Sequence, residues 1–490
     1  MKRIFKFFKL SLVLLVLIIC ATTTLLILFC NTTALKPVIV SQVMKYTDQK
    51  ITIDGDMHWS FFPTLAINIS HLTVDDIHHT HYNIEMSDVR IGVKVLPMLM
   101  NKLEAANMDA VIDVQPMDST AVTHMRLSTG VAVNFYNHKV TFPEMNLAVR
   151  TQMGRRMLNM EITGDVVADM KHESLHAEAI NCQSDYFSLN GQMDVDHFWH
   201  DPFMQGNLNV EVGDMKELMQ AMGQKWNGLQ EMNGLNGDVI FTYSKKLLNA
   251  NGEVTVENLQ ALNLVASDVN AHIFVRNGVI NLTNILSSKT YGGSFQGQGS
   301  INFTANEPRI NLQGKFSNID AGALWADFLG GENKINLSGQ GTIDFSMSTS
   351  GSTSRQLLKN LNGNSEINLH DGFVTGIDLA YWINHAYVSV KNQPVAADRV
   401  KFSTLTGTIK IKNGILSNND LLLEMPEIKA KGKGKVDLAQ QSVEYVLHTT
   451  VKNVILEKVG NMRFSLQDFV PIHIKGNLTD PTVYVDRDNG

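Results

Sequence analysis

Cysteine is nearly absent from this chain. Three occur in 490 residues: Cys20, Cys30 and Cys182. The first two fall in or at the edge of a hydrophobic N-terminal stretch, so Cys182 stands alone in the remainder and no intrachain disulfide framework can form. Charge is also scarce, at 18% of residues with a formal balance of −7. That balance withholds the basic stripe nucleic-acid binding requires, so no nucleic-acid partner is expected. Motifs that carry catalysis are missing: there is no G-x-S-x-G elbow, Walker loop, dinucleotide fingerprint or H-E-x-x-H. The glycine-rich runs "GGSFQGQG" and "KGKGKV" sit within alternating strands and precede no helix, where glycine suits bends and bulges. Cys182 has no surrounding signature of a nucleophile. The chain therefore reads as a non-enzyme without a catalytic residue, metal or cofactor.

The long apolar run is confined to one place. "MKRIFKFFK" carries Lys2, Arg3, Lys6 and Lys9, and "LSLVLLVLIICATTTLLILFC" (10–30) comes next without a charge. About 20 apolar residues span a hydrocarbon core of ~30 Å. Positive charge before the run predicts a cytoplasmic N-terminus (1–9), a single transmembrane helix (10–30) and the bulk of the chain on the far side of the membrane. A cleaved signal peptide would have an apolar stretch of about 7–15 residues and a small-residue cleavage site. This run is longer, and "NTTALK" is a poor site.

The remainder of the chain has strand texture. In "ITIDGDMHWSFFPTLAINI" (51–69), Ile51, Ile53, Met57, Trp59 and Phe61 alternate with polar residues, and Leu65, Ile67 and Ile69 resume after Pro63. Two half-buried strands explain this. From about residue 105 short alternating segments recur, among them "NGQMDVD", "GNLNVEV", "NGEVTVENL", "NGVINLTNI", "RINLQGKF", "GTIDFSMS" and "GTIKIKNGIL". Asn-Gly at 190–191, 251–252, 277–278 and 413–414 suggests tight hairpin turns. Helices are expected at 35–50, 93–102, 215–226, 320–331, 354–361 and 376–391. Roughly 25–30 strands at ~4.8 Å spacing make a sheet too long to stay flat. The fold class is thus mainly β: a transmembrane helix, then a long antiparallel sheet with one apolar face. Either the sheet folds over itself as a sandwich, or it curls into an open groove or half-barrel with a few short helices.

Two regions carry a family resemblance. The first is "KPVIVSQVMKYTDQKITIDGDMHWSFFPTLAINISHLTVDD" with "VRIGVKVLPMLMNKLEAANMDAVIDV". The second is "LSGQGTIDFSMSTSGSTSRQLLKNLNGNSEINLHDGFVTGIDL", "FSTLTGTIKIKNGILSNNDLLLEMPEIKAKGKGKVDL" and "VPIHIKGNLTDPTVYVD". Together they resemble AsmA family proteins of Gram-negative inner membranes. The middle of the chain resembles the family only in strand texture. The resemblance implies an AsmA/chorein-like N-terminal region (31–115), a central β-groove (116–330) and an AsmA-like C-terminal region (331–490). It further implies a bridge-like carrier that moves phospholipids along an apolar β-groove toward the outer membrane, supporting outer-membrane biogenesis. Its partners would be phospholipids, the inner membrane and an outer-membrane or periplasmic protein.

Candidate groove residues are Trp59, Phe61, Phe62, Leu65, Ile67 and Ile273. The aromatic ones either line a groove mouth or form ordinary core beneath the 35–50 helix. In "DDIHHTHY", Asp75, Asp76, His78, His79 and His81 offer metal-ligand types but read first as a solvated turn. Lys429, Lys431, Lys433 and Lys435 share one strand face, and either attract anionic head groups or guard an edge strand; the edge or solvent face is the expectation. "GIDLAYWINHAYVSVK" is expected to be a packed capping helix. Two functions remain open. A conduit needs an apolar lining free of polar interruptions, because exposing acyl chains costs ~0.8 kcal/mol per CH₂. A scaffold for outer-membrane protein assembly would instead bind by strand addition and fill its apolar face with its own side chains.

Overall fold

The computed structural model describes residues 32–47, 50–60, 64–75, 82–94, 105–134, 138–154, 156–198, 201–223, 228–245, 247–261, 263–305, 307–329, 334–377, 379, 382, 399–426, 428–451 and 470–485. The apolar run at 10–30 and most of the helix expected at 93–102 lie outside them. Among the described residues no helix is long and apolar enough to cross a membrane. The described chain is mainly β, with 26 strands in an antiparallel sheet and few helices. Contacts divide it into two compact units, residues 1–208 with 242–245 and residues 209–241 with 246–490.

Unit one opens with helix α1 (Thr32–Thr47) and strands β1 (Lys50–Thr52), β2 (Met57–Ser60), β3 (Ala66–Asp75), β4 (Tyr82–Val93) and β5 (Ala105–Pro116). It continues through β6 (Thr123–Gly130), β7 (Ala132–Asn134), β8 (Lys139–Met153), β9 (Arg156–Asp169), β10 (Ser174–Ser184) and β11 (Phe187–Asp196) into β12 (Phe203–Asp214). Pro37 lies inside α1, past its first turn, and there forgoes one i→i−4 hydrogen bond. Leu35 and Ile39, four residues apart, lie on one helix face and pack on the cluster formed by Met57, Ile67, Ile69, Leu72, Val89, Val93 and Ala110. The Lys36 ammonium donates to the Gly55 carbonyl at 2.9 Å.

Unit two contains α2 (Met215–Ala221), β13 (Leu229–Ser244), β14 (Leu247–Ala261), β15 (Leu264–Arg276), β16 (Val279–Thr290), β17 (Gly293–Asn302) and β18 (Arg309–Asp320). Helix α3 (Ala321–Leu329) then leads to β19 (Asn336–Ser350), α4 (Ser354–Lys359) and β20 (Asn362–Thr375). Strands β21 (Arg399–Lys412), β22 (Ile415–Glu424), β23 (Ile428–Asp437), β24 (Ser442–Val451), β25 (Val470–Asn477) and β26 (Pro481–Val485) complete it. The Asp214 side chain caps α2 by accepting from the N–H groups of Lys216 and Glu217, and Thr353 with Gln356 forms a capping box on α4. The main core gathers Leu369, Phe402, Leu405, Leu423, Ala430, Leu447 and Ile472. Leu379 belongs to it at 2% exposure, and Trp382 packs against it; of the rest of the capping helix expected at 376–391 only Gly376, exposed, and Ile377, buried, are among the described residues.

Two of the four Asn-Gly pairs are turns. Asn277 and Gly278 have φ of 51° and 76°, and Asn413 and Gly414 have 52° and 76°, the left-handed pair of a type I′ hairpin. Their flanks pair directly, Arg276 with Val279 and Lys412 with Ile415. The pairs at 190–191 and 251–252 lie inside β11 and β14 instead. There glycine serves close approach: a Cβ on Gly252 would collide with the Asp238 carbonyl, and one on Gly191 with that of Asn207. The lysine strand is likewise not an edge. β23 pairs with both β22 and β24, Lys431 standing between Leu422 and His448. Its apolar register, Ala430 opposite Leu423 and Val436 opposite Val443, turns the ammonium groups to solvent.

Several strands carry an extra residue at which the apolar positions switch parity. In β4 the apolar set passes from Ile84 and Met86 to Val89 and Ile91 across Asp88, whose φ is 49°. In β8 it passes from Phe142 to Met145 and Leu147 across Glu144 (φ 51°), and in β16 from Leu282 to Ile285 across Asn284 (φ 51°). Ala179 in β10 and Asn318 in β18 do the same. Each coincides with a register shift to the neighbouring strand, the mark of a β-bulge with a left-handed residue. Asp and Asn tolerate that conformation best among residues with a side chain.

Phe402 has 0% exposure, and its ring fills the space over Gly339 and Gly372. Replacing it with Ala should lower the unfolding free energy by about 3–5 kcal/mol, read from a urea transition monitored by circular dichroism.

Candidate functional site: the apolar face

The site grows out of the register. In unit one, Trp59 lies opposite Ile67, Ile67 opposite Ile91, and Ile91 opposite Met108. A second row runs Ala110, Leu127, Leu147, Ile162, Cys182, Leu189 across β5, β6, β8, β9, β10 and β11. In unit two the pattern resumes on β14. Gly252 faces Ile273, Ile273 faces Leu282, Leu282 faces Gly299, Gly299 faces Leu312, and Leu312 faces Met347. Parallel to it, Phe295, Phe316, Ile343, Ile367 and Gly407 stand in register from β17 to β21. Within each unit one face is apolar from strand to strand.

That face is unevenly covered. Beneath α1, Ile67 and Ile69 are each 1% exposed. Away from it, Ile112, Leu127, Leu147 and Ile162 remain half-buried, as do Ile273, Leu282, Leu312, Phe345 and Met347 in unit two. A sandwich core would bring such residues close to full burial.

Helix α3 bridges several strands of unit two. Asp320 caps its start by accepting from the Gly322 N–H at 2.8 Å. The helix touches β18 and β19 and also β15, which lies four strands from β19 along the ladder. Four strand spacings measure about 19 Å, so α3, nine residues long, lies across the strands between β15 and β19. The Tyr291 hydroxyl pins this arrangement, donating to Asp327 Oδ2 at 3.1 Å and accepting from the Val265 N–H at 2.8 Å. Burial pushes its pKa upward, so the phenol stays a donor.

An aromatic cluster sits beside the helix. The Phe295 and Phe345 rings stack with centroids 6.0 Å apart although their strands are separated by β18, and Phe316 lies 4.9 Å from Phe295. The Phe295 ring covers the bare backbone of Gly297 and Gly314. Sequence patterning alone does not single out these phenylalanines; the signal that could have found them is in "GGSFQGQG", where an aromatic alternates with glycine on one face.

The candidates fall in three places. Trp59 and Ile67 join the cluster under α1, and the Trp59 Nε1 is buried without a hydrogen-bond partner among the described residues. Leu65 is half-buried just before β3, where its carbonyl accepts from the Val93 N–H at 2.8 Å. Ile273 lies on the half-buried face of unit two. Phe61 and Phe62 are outside the described residues, as are Asp76, His78, His79 and His81. Among the described residues no group of three or more His, Cys, Asp or Glu is placed to hold a metal ion.

The opposite face is polar and laced with cross-strand pairs between imidazoles and carboxylates. His176 is the most enclosed by charge: Nδ1 is 2.6 Å from Asp194 Oδ1 and Nε2 is 3.0 Å from Glu178 Oε1. The Asp194 bond, then the Glu178 bond, raises its pKa. Cys182 is buried on the apolar face, and desolvation raises its thiol pKa.

A one-sided apolar meander crossed by a short helix defines the class: a β-protein presenting an extended hydrophobic surface. The chain belongs to the AsmA family, whose match covers residues 1–131 and 206–421. It is similar to Protein AsmA of Escherichia coli (strain K12), with 19% identity over 583 aligned positions spanning 96% of this chain and 92% of that protein.

These environments make two measurements informative. In an NMR titration His176 should lose its proton above the ordinary imidazole value, and Asp194→Asn should bring the midpoint down. Because the folded pKa is raised, the pair's contribution to stability is full below the unfolded value near 6.5 and fades as pH rises through the folded one. With Cys20 and Cys30 replaced by Ser, Cys182 should react at neutral pH many times more slowly with a charged thiol reagent than the same chain unfolded in urea.

Proposed function

We propose that the apolar face is a conduit for phospholipid acyl chains. The protein on this reading is not an enzyme but a bacterial envelope protein that moves lipid toward the outer membrane, anchored in the inner membrane by residues 10–30. AsmA family membership supports a role in outer-membrane assembly or lipid transport, and the observation that carries the reading further is the half-buried register of apolar residues along one face of the sheet. Acyl chains would lie along Ile273, Leu282, Leu312 and Met347 and complete the burial those side chains lack. Each CH₂ so covered is stabilised by ~0.8 kcal/mol relative to water, which is why an unbroken lining matters more than any single residue. Phosphate head groups would remain in water along the open side. The half-buried face disfavours the alternative of a scaffold whose apolar side chains fill one another.

The test is Ile273→Glu. In full-length protein the variant should stay folded, with its melting midpoint nearly unchanged, because the carboxylate reaches water on a half-buried face. Transfer of fluorescent phospholipid between vesicles should fall about tenfold or more, since a charge interrupts the lining. If the variant unfolds, the face is a packed core and the conduit reading fails. Wild-type protein purified in mild detergent should also carry phospholipid detectable by mass spectrometry.

A further inference from the structure

On the polar face of unit one lies a depression of about 570 Å³ across β6, β8, β9 and β10. Its floor is Ala148, opposite Arg126 on one side and Glu161 on the other. The methyl group leaves a gap where its neighbours are long. Arg150, two residues beyond Ala148, is the diagonal neighbour of Arg126 and lies opposite Asn159 and His124. Diagonal positions place Cβ atoms about 7–8 Å apart, within the grasp of one oxyanion held by two guanidinium groups. Gln183, opposite Glu161, and Asp185 close the far side.

The charges are sorted. Both arginines stand on β6 and β8, and both carboxylates stand on the β9 and β10 side. Among the described residues neither arginine has a hydrogen bond or ion pair, whereas each carboxylate around them is engaged elsewhere. Glu161 Oε1 accepts from Asn146 Nδ2 at 2.8 Å, Asp185 Oδ2 accepts from Asn159 Nδ2 at 3.1 Å, and Asp113, just outside, pairs with His124 Nδ1 at 2.7 Å. Arg126 and Glu161 are two strands apart, about 10 Å, with the Ala148 gap between them.

We propose that this depression binds a zwitterionic phosphoryl amine, its phosphate held by Arg126 and Arg150 and its ammonium by Glu161 and Asp185. A purely anionic ligand would meet repulsion from the two carboxylates, and a purely cationic one from the two guanidinium groups. A group carrying both charges a few ångströms apart satisfies each half, and planar guanidinium groups suit phosphate oxygens. The site lies on the face opposite the conduit and stands or falls separately from it.

Calorimetric titration of the full-length protein in a nonionic detergent and phosphate-free buffer tests this. The probes are phosphoethanolamine, inorganic phosphate and dihexanoyl phosphatidylethanolamine below its micelle concentration. Phosphoethanolamine should bind more tightly than phosphate. Arg126→Gln and Arg150→Gln should each weaken it about tenfold or more, Glu161→Gln by a smaller factor, and Ile273→Glu should leave it unchanged. These exposed positions should leave the melting midpoint in place. Binding of the lipid alone, equally sensitive to both arginines, identifies a membrane-borne head group; binding of both identifies a site open to the soluble amine. No binding of either amine, equal binding of phosphate and phosphoethanolamine, or binding that survives the double arginine variant overturns the proposal.

Discussion

Side chains alternate across a β-strand with a period of two, so a slip of one residue transfers a whole apolar set to the other face. The one-sided sheet depends on that parity being held from strand to strand. Cross-strand register does the holding: Ile273 meets Leu282 and Gly252, Phe316 meets Phe295 and Ile343. Where a strand gains a residue, the parity would invert. The left-handed conformations of Asp88, Glu144 and Asn284 absorb the extra residue and return the succeeding side chains to the apolar face.

The same constraint explains the glycines. A glycine on the apolar face lets neighbouring strands twist and approach, and it leaves backbone bare that water would otherwise reach. Aromatic rings cover those places. Phe295 lies over Gly297 and Gly314, Phe402 over Gly339 and Gly372, and Tyr445 over Gly432 and Gly434. Curvature and continuity of the lining are thus obtained from one pairing of residue types: the glycine permits the bend, and the ring restores the apolar surface.

The fold class was legible because period-two alternation is local, and the family because its motifs are linear strings. Boundaries were less so. "NGVINLTNI" reads as ending near Ile285, yet β16 continues to Thr290, since the bulge at Asn284 breaks the alternation without breaking the strand. Asn-Gly at 251–252 looks like a turn because composition cannot tell a left-handed glycine from one needed for close approach. The lysines of β23 resemble edge protection because charge on one face is common to edge strands and to interior strands with a wet side. The aromatic cluster by α3 and the depression over Ala148 depend on neighbours distant in sequence, and no single segment announces them.

Pairing among the described residues is almost wholly between consecutive strands. From β14 to β26 each strand bonds to the next, joined in several places by two-residue turns. Long-range β pairing is slow because loop closure must precede the contacts that reward it. Here many closures span only a short connection, the longer ones falling between β18 and β21 and between β24 and β25, and each finished strand offers a template to its successor. A chain delivered N-terminus first can therefore add most of its strands in the order of its sequence, so that the edge awaiting a partner moves along with the growing end.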